Sequence, residues 1–245
     1  MDIKGCVALV TGAAGGIGQA FVAELLKRGA AKVYVAARDP ASLAGLHDPR
    51  LVPLTLDVTD AAQIAAAVAA APDVTLLINN AGYAAFEGAI SAADLTDARR
   101  EMEVNYFAPL AVTRAFAPVL ATSGGGAVVN MLSMLALISL PMAASYSASK
   151  AAMLSLTRSI RAELAAQGTQ VIGVMAVQTE TKMGVSLPEP RLSPQDVVSD
   201  ALDAVASGAS EEVFAGALTR GAYQAFSADP KAFQAKMSTR LPKKA

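Results

Sequence analysis

One cysteine, one histidine and no tryptophan stand in a chain of 245 residues. A lone Cys6 forbids an intrachain disulfide, and with a single histidine too few ligands remain for a structural zinc site, so no metal is expected. Cys6 lies in the apolar run CVALV and reads as core; scarce cysteine fits a reducing cytoplasm. His47 sits in a Gly/Asp/Pro loop and reads as a surface residue. Charge is balanced, with 20 basic and 21 acidic residues, a formal net charge of −1 and no basic block. A nucleic-acid binder needs such a basic footprint. The closing Pro242-Lys243-Lys244-Ala245 is too short to be more than a solvated end. The opening MDIKGCVALVTG lacks the charged region, apolar stretch and small-residue cleavage site of a secretory leader. Ala127–Ala144 carries no charge, yet Asn130, Ser133, Ser139 and Pro141 interrupt it. A buried strand running into a loop is expected there, not a membrane span.

What is present is alternation. Strand-like apolar runs at Cys6–Val10, Lys32–Ala37, Leu51–Leu56, Val74–Ile78, Ala127–Met131, Gln170–Met175 and Glu212–Ala215 alternate with alanine-rich helical segments. The helices are expected at Gly16–Arg28, Asp60–Ala70, Asp94–Leu120, Ala144–Ala166 and Pro194–Ala206, with a kink or break at Asn105. Continuous apolar strands and 53% hydrophobic residues suit a sheet covered on both faces. The expected fold class is α/β: a single-domain, doubly wound, Rossmann-like parallel sheet of about seven strands with helices on both faces, spanning residues 1–245. No low-complexity linker divides the chain. Segment 178–193, rich in Thr, Pro and Gly, follows a strand and is expected at the sheet's carboxyl edge, as a substrate loop or lid. The tail, 217–245, is expected to fold back on the domain.

The turn TGAAGGIG, Thr11 to Gly18, joins the first strand to the first helix. A tight turn, close approach to a pyrophosphate and close helix–sheet packing each favour a residue without Cβ, which Gly12, Gly16 and Gly18 supply. The helix start offers free N–H groups to phosphate. At the end of the second strand, where an NAD site holds the ribose 2′-hydroxyl with an acid, stand Ala37 and Arg38. A guanidinium suits a 2′-phosphate, so NADP(H) is favoured over NAD(H). The alternative leaves Arg38 solvated and gives the ribose to Asp39. Asp57, in LDVTD, reads as an acceptor for the adenine amino group, or as a turn residue or helix cap. Asn79–Gly82 (NNAG) ends the fourth strand, with Ala81 and Gly82 small enough for the backbone to lie flat against a cofactor.

Tyr146 and Lys150, in YSASK, are four apart and share a helix face. A nearby ammonium favours phenolate, fitting Tyr146 for general acid–base work on a carbonyl or alcohol. Ser133 follows the fifth strand, where its hydroxyl can hydrogen-bond a substrate oxygen. Asn105, in EVNYF, is placed to hold a relay water near Lys150. Singly each has a plain structural reading, as a surface pair, a loop hydroxyl or a core amide; together they point to hydride transfer.

With these motifs in hand, the chain resembles the short-chain dehydrogenase/reductase family over Lys4 to about Gly216. The resemblance implies Tyr146 as acid/base, Lys150 on the nicotinamide ribose, Ser133 orienting the carbonyl and Asn105 positioning the water. It adds Ile17, Val58, Asn80 and Thr179 as cofactor contacts. Thr181 is implied at the nicotinamide carboxamide. Two departures stand out. Gly15 occupies a place in the glycine turn where many NADP(H)-using members carry a basic residue, and Ala176-Val177 replaces a Pro-Gly. A homodimer or homotetramer is implied through the helices at Asn105–Leu120 and Ala144–Ala166.

Tyr83, Phe86, Leu135, Leu137, Pro141, Met142, Met183, Val185 and Leu187 are expected to line the substrate pocket or simply to pack. No arginine or lysine beyond Lys182 is expected near it. The expected activity is NADP(H)-dependent interconversion of a ketone or aldehyde and an alcohol, on an uncharged, fairly hydrophobic substrate, in the cytoplasm, with neither nucleic acid nor membrane as partner. The alternatives are a 3-oxoacyl-thioester reductase, an NAD-dependent alcohol dehydrogenase, and a non-catalytic cofactor-sensing protein.

Overall fold

The structure, a computed structural model, describes residues 1–45 and 47–242. The solvated end expected at Lys243, Lys244 and Ala245 lies outside them. Seven parallel strands form one sheet: β1 (Val7–Thr11), β2 (Lys32–Ala37), β3 (Leu51–Thr55), β4 (Leu76–Asn79), β5 (Ala127–Met131), β6 (Gln170–Met175) and β7 (Glu212–Phe214). Their order is β3-β2-β1-β4-β5-β6-β7. The order reverses between β1 and β4, which opens a crevice at their carboxyl ends. Every strand expected from sequence is present, β2, β5 and β6 with the expected ends and the others shifted by two residues at most.

Alternation along each strand builds two cores. Ala8 and Val10 of β1, Leu76 and Ile78 of β4 and Val129 of β5 face one side. There they meet α1 (Gly16–Lys27) and α6 (Pro194–Ser207). Leu9, Leu77 and Val128 face the other, against α2 (Ala61–Ala70), α4 (Ala108–Thr122) and α5 (Ala144–Leu164). β3 is an edge strand, so Pro53, which has no N–H to donate, costs the sheet nothing there.

The long fourth helical segment is not one helix. α3 (Thr96–Met102) passes through a π turn, Glu103–Phe107, into α4. The break expected at Asn105 is this turn. Among the described residues the run Thr96–Thr122 alone has the length and composition to cross a membrane. In this fold Val112, Phe116 and Leu120 pack it on the sheet.

The tail folds back, as two helices the sequence reading did not anticipate. α7 (Gly216–Ala228) and α8 (Pro230–Ser238) follow β7. Tyr223 stacks on Phe214 with centroids 3.7 Å apart. Asp229 caps α8, its carboxylate accepting from Ala232 N–H at 2.9 Å, and Pro230 takes the first helical position. Met237 is buried with Ile138, Leu140 and Ala143, and Gln234 both donates to and accepts from the Ser139 backbone.

Candidate active site

Thr11 fastens the crevice. Its buried hydroxyl donates to the Ile78 carbonyl at 3.1 Å and accepts from the N–H groups of Asn80 and Ala81. Asn80 returns the tie, donating to the carbonyls of Thr11 and Gly12. Gly12 has φ +63, which disfavours a side chain, and a Cβ there would stand 3.0 Å from Ala81 Cα. A Cβ on Gly16 would meet the Thr181 methyl at 2.8 Å. Thr181 therefore seats the segment after β6 on the glycine turn. α1 is preceded by Gly15, which offers no side-chain cap, leaving the first N–H groups of the helix facing the cleft.

The cleft has a volume of about 1530 Å³, and every cofactor-contact position expected from sequence lines it: Gly12, Gly16, Ile17, Gly18, Arg38, Asp57, Val58, Asn80, Ala81, Gly82, Tyr146, Lys150, Thr179 and Thr181. Arg38 is exposed at the end of β2. The neighbouring Asp39 carboxylate is engaged locally, accepting from Ala41 N–H at 2.9 Å. Asp57 accepts from the Thr59 N–H and hydroxyl, and these bonds, with the charges of Arg38 and Arg100, hold its carboxyl below the usual range.

Where Ala176-Val177 replaces the expected Pro-Gly, the backbone needs neither residue. Val177 has no positive φ, and its N–H donates to the buried hydroxyl of Thr219 in α7. Beyond it segment 178–193 folds on itself. Leu192 N–H donates to the Gln178 carbonyl, Glu180 N–H donates to the Leu192 carbonyl, and Thr179 bridges Leu192.

Ser133, Tyr146 and Lys150 line the same cleft. Ser133 follows β5 in extended backbone, and its oxygen accepts from Leu135 N–H at 3.1 Å. Tyr146 stands in the first turn of α5, and Lys150 one turn on. Lys150 Nζ is 5.7 Å from the Tyr146 ring centroid and donates to the Met131 carbonyl at 2.8 Å. Burial pushes the Tyr146 phenol up to about 12; the Ser133 hydroxyl opposes this and Glu101 adds to it. Burial likewise pulls Lys150 down to about 8. In the polypeptide alone the direction is thus opposite to the lowering expected from the Tyr–Lys spacing, and burial is its main cause.

Lys150 yields a stability prediction. Its folded pKa lies below the ordinary value of 10.5, so below about pH 8 the native state bears the cost of a buried charge. That cost disappears as pH rises to about 10.5. Lys150→Met is therefore expected to be more stable than wild type by about 1–3 kcal/mol at pH 7, a gain that vanishes near pH 10.5. Chemical denaturation at both pH values measures it.

Asn105 does not line the cleft. It is buried behind it, accepting from Tyr83 N–H at 2.9 Å and donating to the Tyr83 carbonyl and to Ser149 Oγ. Ser149 in turn donates to the Tyr146 carbonyl. Both side-chain N–H groups are thus committed, and a water-holding role is left only the second lone pair of Oδ1. Its visible work is to tie Tyr83 to α5.

The substrate side departs further from expectation. Tyr83, Phe86, Leu135, Met142, Met183 and Leu187 line the cleft, whereas Leu137, Pro141 and Val185 do not. Leu137 packs by Met175 and Leu132, and Val185 is 70% exposed. Phe233, Lys236, Met237 and Arg240 from α8 and just beyond it complete the wall. The expectation that Lys182 is the only cation there is overturned by the folded-back tail. The sequence reading also missed Glu101, buried on α3, which accepts from Ala85 N–H at 2.8 Å with its second oxygen unpartnered. Next to Ala85, Phe86 holds φ +57, a strained value for a bulky residue. Its ring is thereby set 6.2 Å from that of Tyr146.

The family model described as short chain dehydrogenase matches residues 6–191. A short chain dehydrogenase of Monascus purpureus is 32% identical over 200 residues, covering 76% of this chain and 68% of the relative. A galactitol 2-dehydrogenase (L-tagatose-forming) of Cereibacter sphaeroides is 34% identical, covering 76% of each. Among solved structures, a short chain dehydrogenase from Burkholderia cenocepacia in complex with NADP superposes with a TM-score of 0.91 at 43% identity, covering 97% of this chain and 99% of that one. A 3-ketoacyl-(acyl-carrier-protein) reductase from Brucella melitensis complexed with NADH gives 0.80 at 26% identity, covering 86% and 96%.

Proposed function

The chain belongs to the short-chain dehydrogenase/reductase family of oxidoreductases, and from that premise we propose that it interconverts a ketone or aldehyde and an alcohol with NADP(H). The observation that carries this reading is the convergence of Ser133, Tyr146 and Lys150 on a cleft that also holds the glycine turn. Gly12 and Gly16 leave the turn open where side chains would fill it, which fits a dinucleotide pyrophosphate. Gly12, Gly16, Ile17, Gly18 and Asn80 would hold the phosphate side, Asp57 and Val58 the adenine, and Ala81, Gly82, Thr179 and Thr181 the nicotinamide half. NADPH, when bound, supplies the hydride.

The protein's own part is proton delivery and orientation. Tyr146 donates its phenol proton to the carbonyl oxygen as charge develops there, and Ser133 donates a second hydrogen bond to that oxygen. Lys150, held on the Met131 carbonyl, places positive charge beside the tyrosyl oxygen as the phenol ionises. Asn105 keeps Tyr83 and α5 in register through Ser149.

Arg38 supports NADPH over NADH: it is exposed beside the cleft, and Asp39 is occupied by its own turn. Arg38→Ala is expected to raise the KM for NADPH by about 10–100-fold, the worth of a charge-assisted pair, and to leave that for NADH within about threefold. Steady-state kinetics with both cofactors test this; equal losses would remove Arg38 from the 2′-phosphate. A second reading, reduction of a 3-oxoacyl thioester, has the similarity to the Brucella melitensis reductase in its favour. A homodimer or homotetramer in the cytoplasm completes the proposal. Its support is the outer face of the π turn and α4, where Phe107 is 49% exposed and Ala111 and Pro118 lie beside solvent.

A further inference from the structure

Charge is distributed unevenly over this nearly neutral chain. Among the described residues nine ion pairs form, and none involves a residue of the cleft. Arg38, Arg99, Arg100, Lys150 and Lys182 line that cleft, and the tail adds Lys236 and Arg240. Among the described residues the carboxylates lining it are Asp39, Asp57 and Glu103. Asp39 and Asp57 stand with Arg38 near the sheet's β1–β3 side, where the adenosine of a dinucleotide belongs, and Glu103 lies on the π turn; among the described residues none of the three forms an ion pair with Lys236 or Arg240.

Lys236 and Arg240 are one turn apart. α8 ends at Ser238, and the Arg240 N–H bonds back to the Met237 carbonyl at 3.1 Å, so the helical spacing carries on to Arg240. The same face carries Phe233 and Met237 into the apolar group with Phe86, Leu135, Ile138, Leu140, Met142 and the Tyr146 ring. The segment is anchored: Gln234 holds Ser139, and Pro242 packs so closely on Gly88 that a Cβ there would meet it at 2.6 Å. An apolar chamber beside the reactive tyrosine thus ends in two exposed cations that, among the described residues, have no carboxylate partner.

We propose that the substrate is an anionic amphiphile: its apolar body lies in this chamber with the carbonyl at Tyr146, and its carboxylate or phosphate terminus lies between Lys236 and Arg240. The proposal replaces the uncharged substrate expected from sequence. It rests on the oxidoreductase reading for the placement of the carbonyl, but the anion site itself stands on α8.

Two measurements separate the two claims. Calorimetric titration of the NADP⁺-loaded protein with octanoate, octyl phosphate and 1-octanol reads the anion site without turnover. At least one anion is expected to bind about tenfold more tightly than the alcohol, two solvated charge contacts being worth about that much, and the tighter of the two names the terminal group. The double variant K236A/R240A should bring the ratio close to one, whereas Lys231→Ala, on the same helix but outside the cleft, should keep it. NADPH oxidation with a long-chain keto acid and its methyl ester reads the chemistry, with KM expected about tenfold lower for the acid. Equal binding of anions and alcohol, or a preference that survives K236A/R240A, would overturn the anion site. Anion discrimination without oxidation of NADPH by any ketone would leave that site standing and overturn the carbonyl reading.

Discussion

Replacing Tyr146 by phenylalanine is expected to lower kcat by about 10³-fold or more, the upper part of the range for a positioned general acid, while NADPH binds within about threefold of wild type. The reasons are geometric. The ring of Tyr146 packs against Phe86, and phenylalanine keeps that packing, so the fold and the cofactor half have no cause to change. Only the oxygen goes, and no other side chain can deliver its proton. Lys150 is directed at the Met131 carbonyl, the nearby Asn105 is buried and spent on Tyr83 and Ser149, and Ser133 has a hydroxyl far weaker as an acid. Single-turnover absorbance at 340 nm, with binding followed by NADPH fluorescence, separates the two quantities. Turnover within tenfold of wild type would remove Tyr146 from proton transfer.

The second large effect is expected from one methyl group. A Cβ on Gly18 would stand 2.2 Å from the Gly12 carbonyl oxygen and 2.9 Å from Ala13 Cα. Both are backbone atoms of the turn, tied to β4 through Asn80, and neither can swing aside as a flexible side chain would. Gly18→Ala should therefore cost about 2–4 kcal/mol, lower Tm by about 5–15 °C and weaken NADPH by at least tenfold. Gly221 is the control. It lies within α7 with nothing inside 4 Å of its would-be Cβ, and Gly221→Ala should stabilise by about 0.5–1 kcal/mol through helix propensity alone. The same substitution is thus expected to change sign with its surroundings. A neutral Gly18→Ala would mean the turn relaxes at little cost.

Which features were legible in the sequence follows from how local their causes are. Strands were readable because a buried parallel strand must be apolar throughout, as VALVT and QVIGVM are. The glycine turn was readable because its steric demands fall within eight consecutive residues. The break at Asn105 was legible as an interruption, though not as a π turn. The substrate wall was not legible. Phe233 and Met237 count as a buried face only once Ile138 and Leu140 are there to meet them, and no periodicity inside the tail encodes that meeting. One local signal was available, Asp229 followed by Pro230, the usual start of a helix. The hydroxyl of Thr219 supporting Val177 is another long-range provision that no nearby pattern announces. The direction of the Tyr146 and Lys150 shifts was not legible for a related reason: spacing shows that the two are neighbours, but not how strongly burial acts on each.

The match to the family spans residues 6–191, whereas α7 and α8 begin at Gly216. The glycine turn, Ser133, Tyr146 and Lys150 therefore belong to the part of the chain that is common inheritance. One part of the cleft wall, Phe233, Lys236, Met237 and Arg240, lies beyond that match. The tail is nevertheless stitched to the rest of the cleft, at Gln234 with Ser139 and at Thr219 with Val177, so a change in either length of chain is felt by the other.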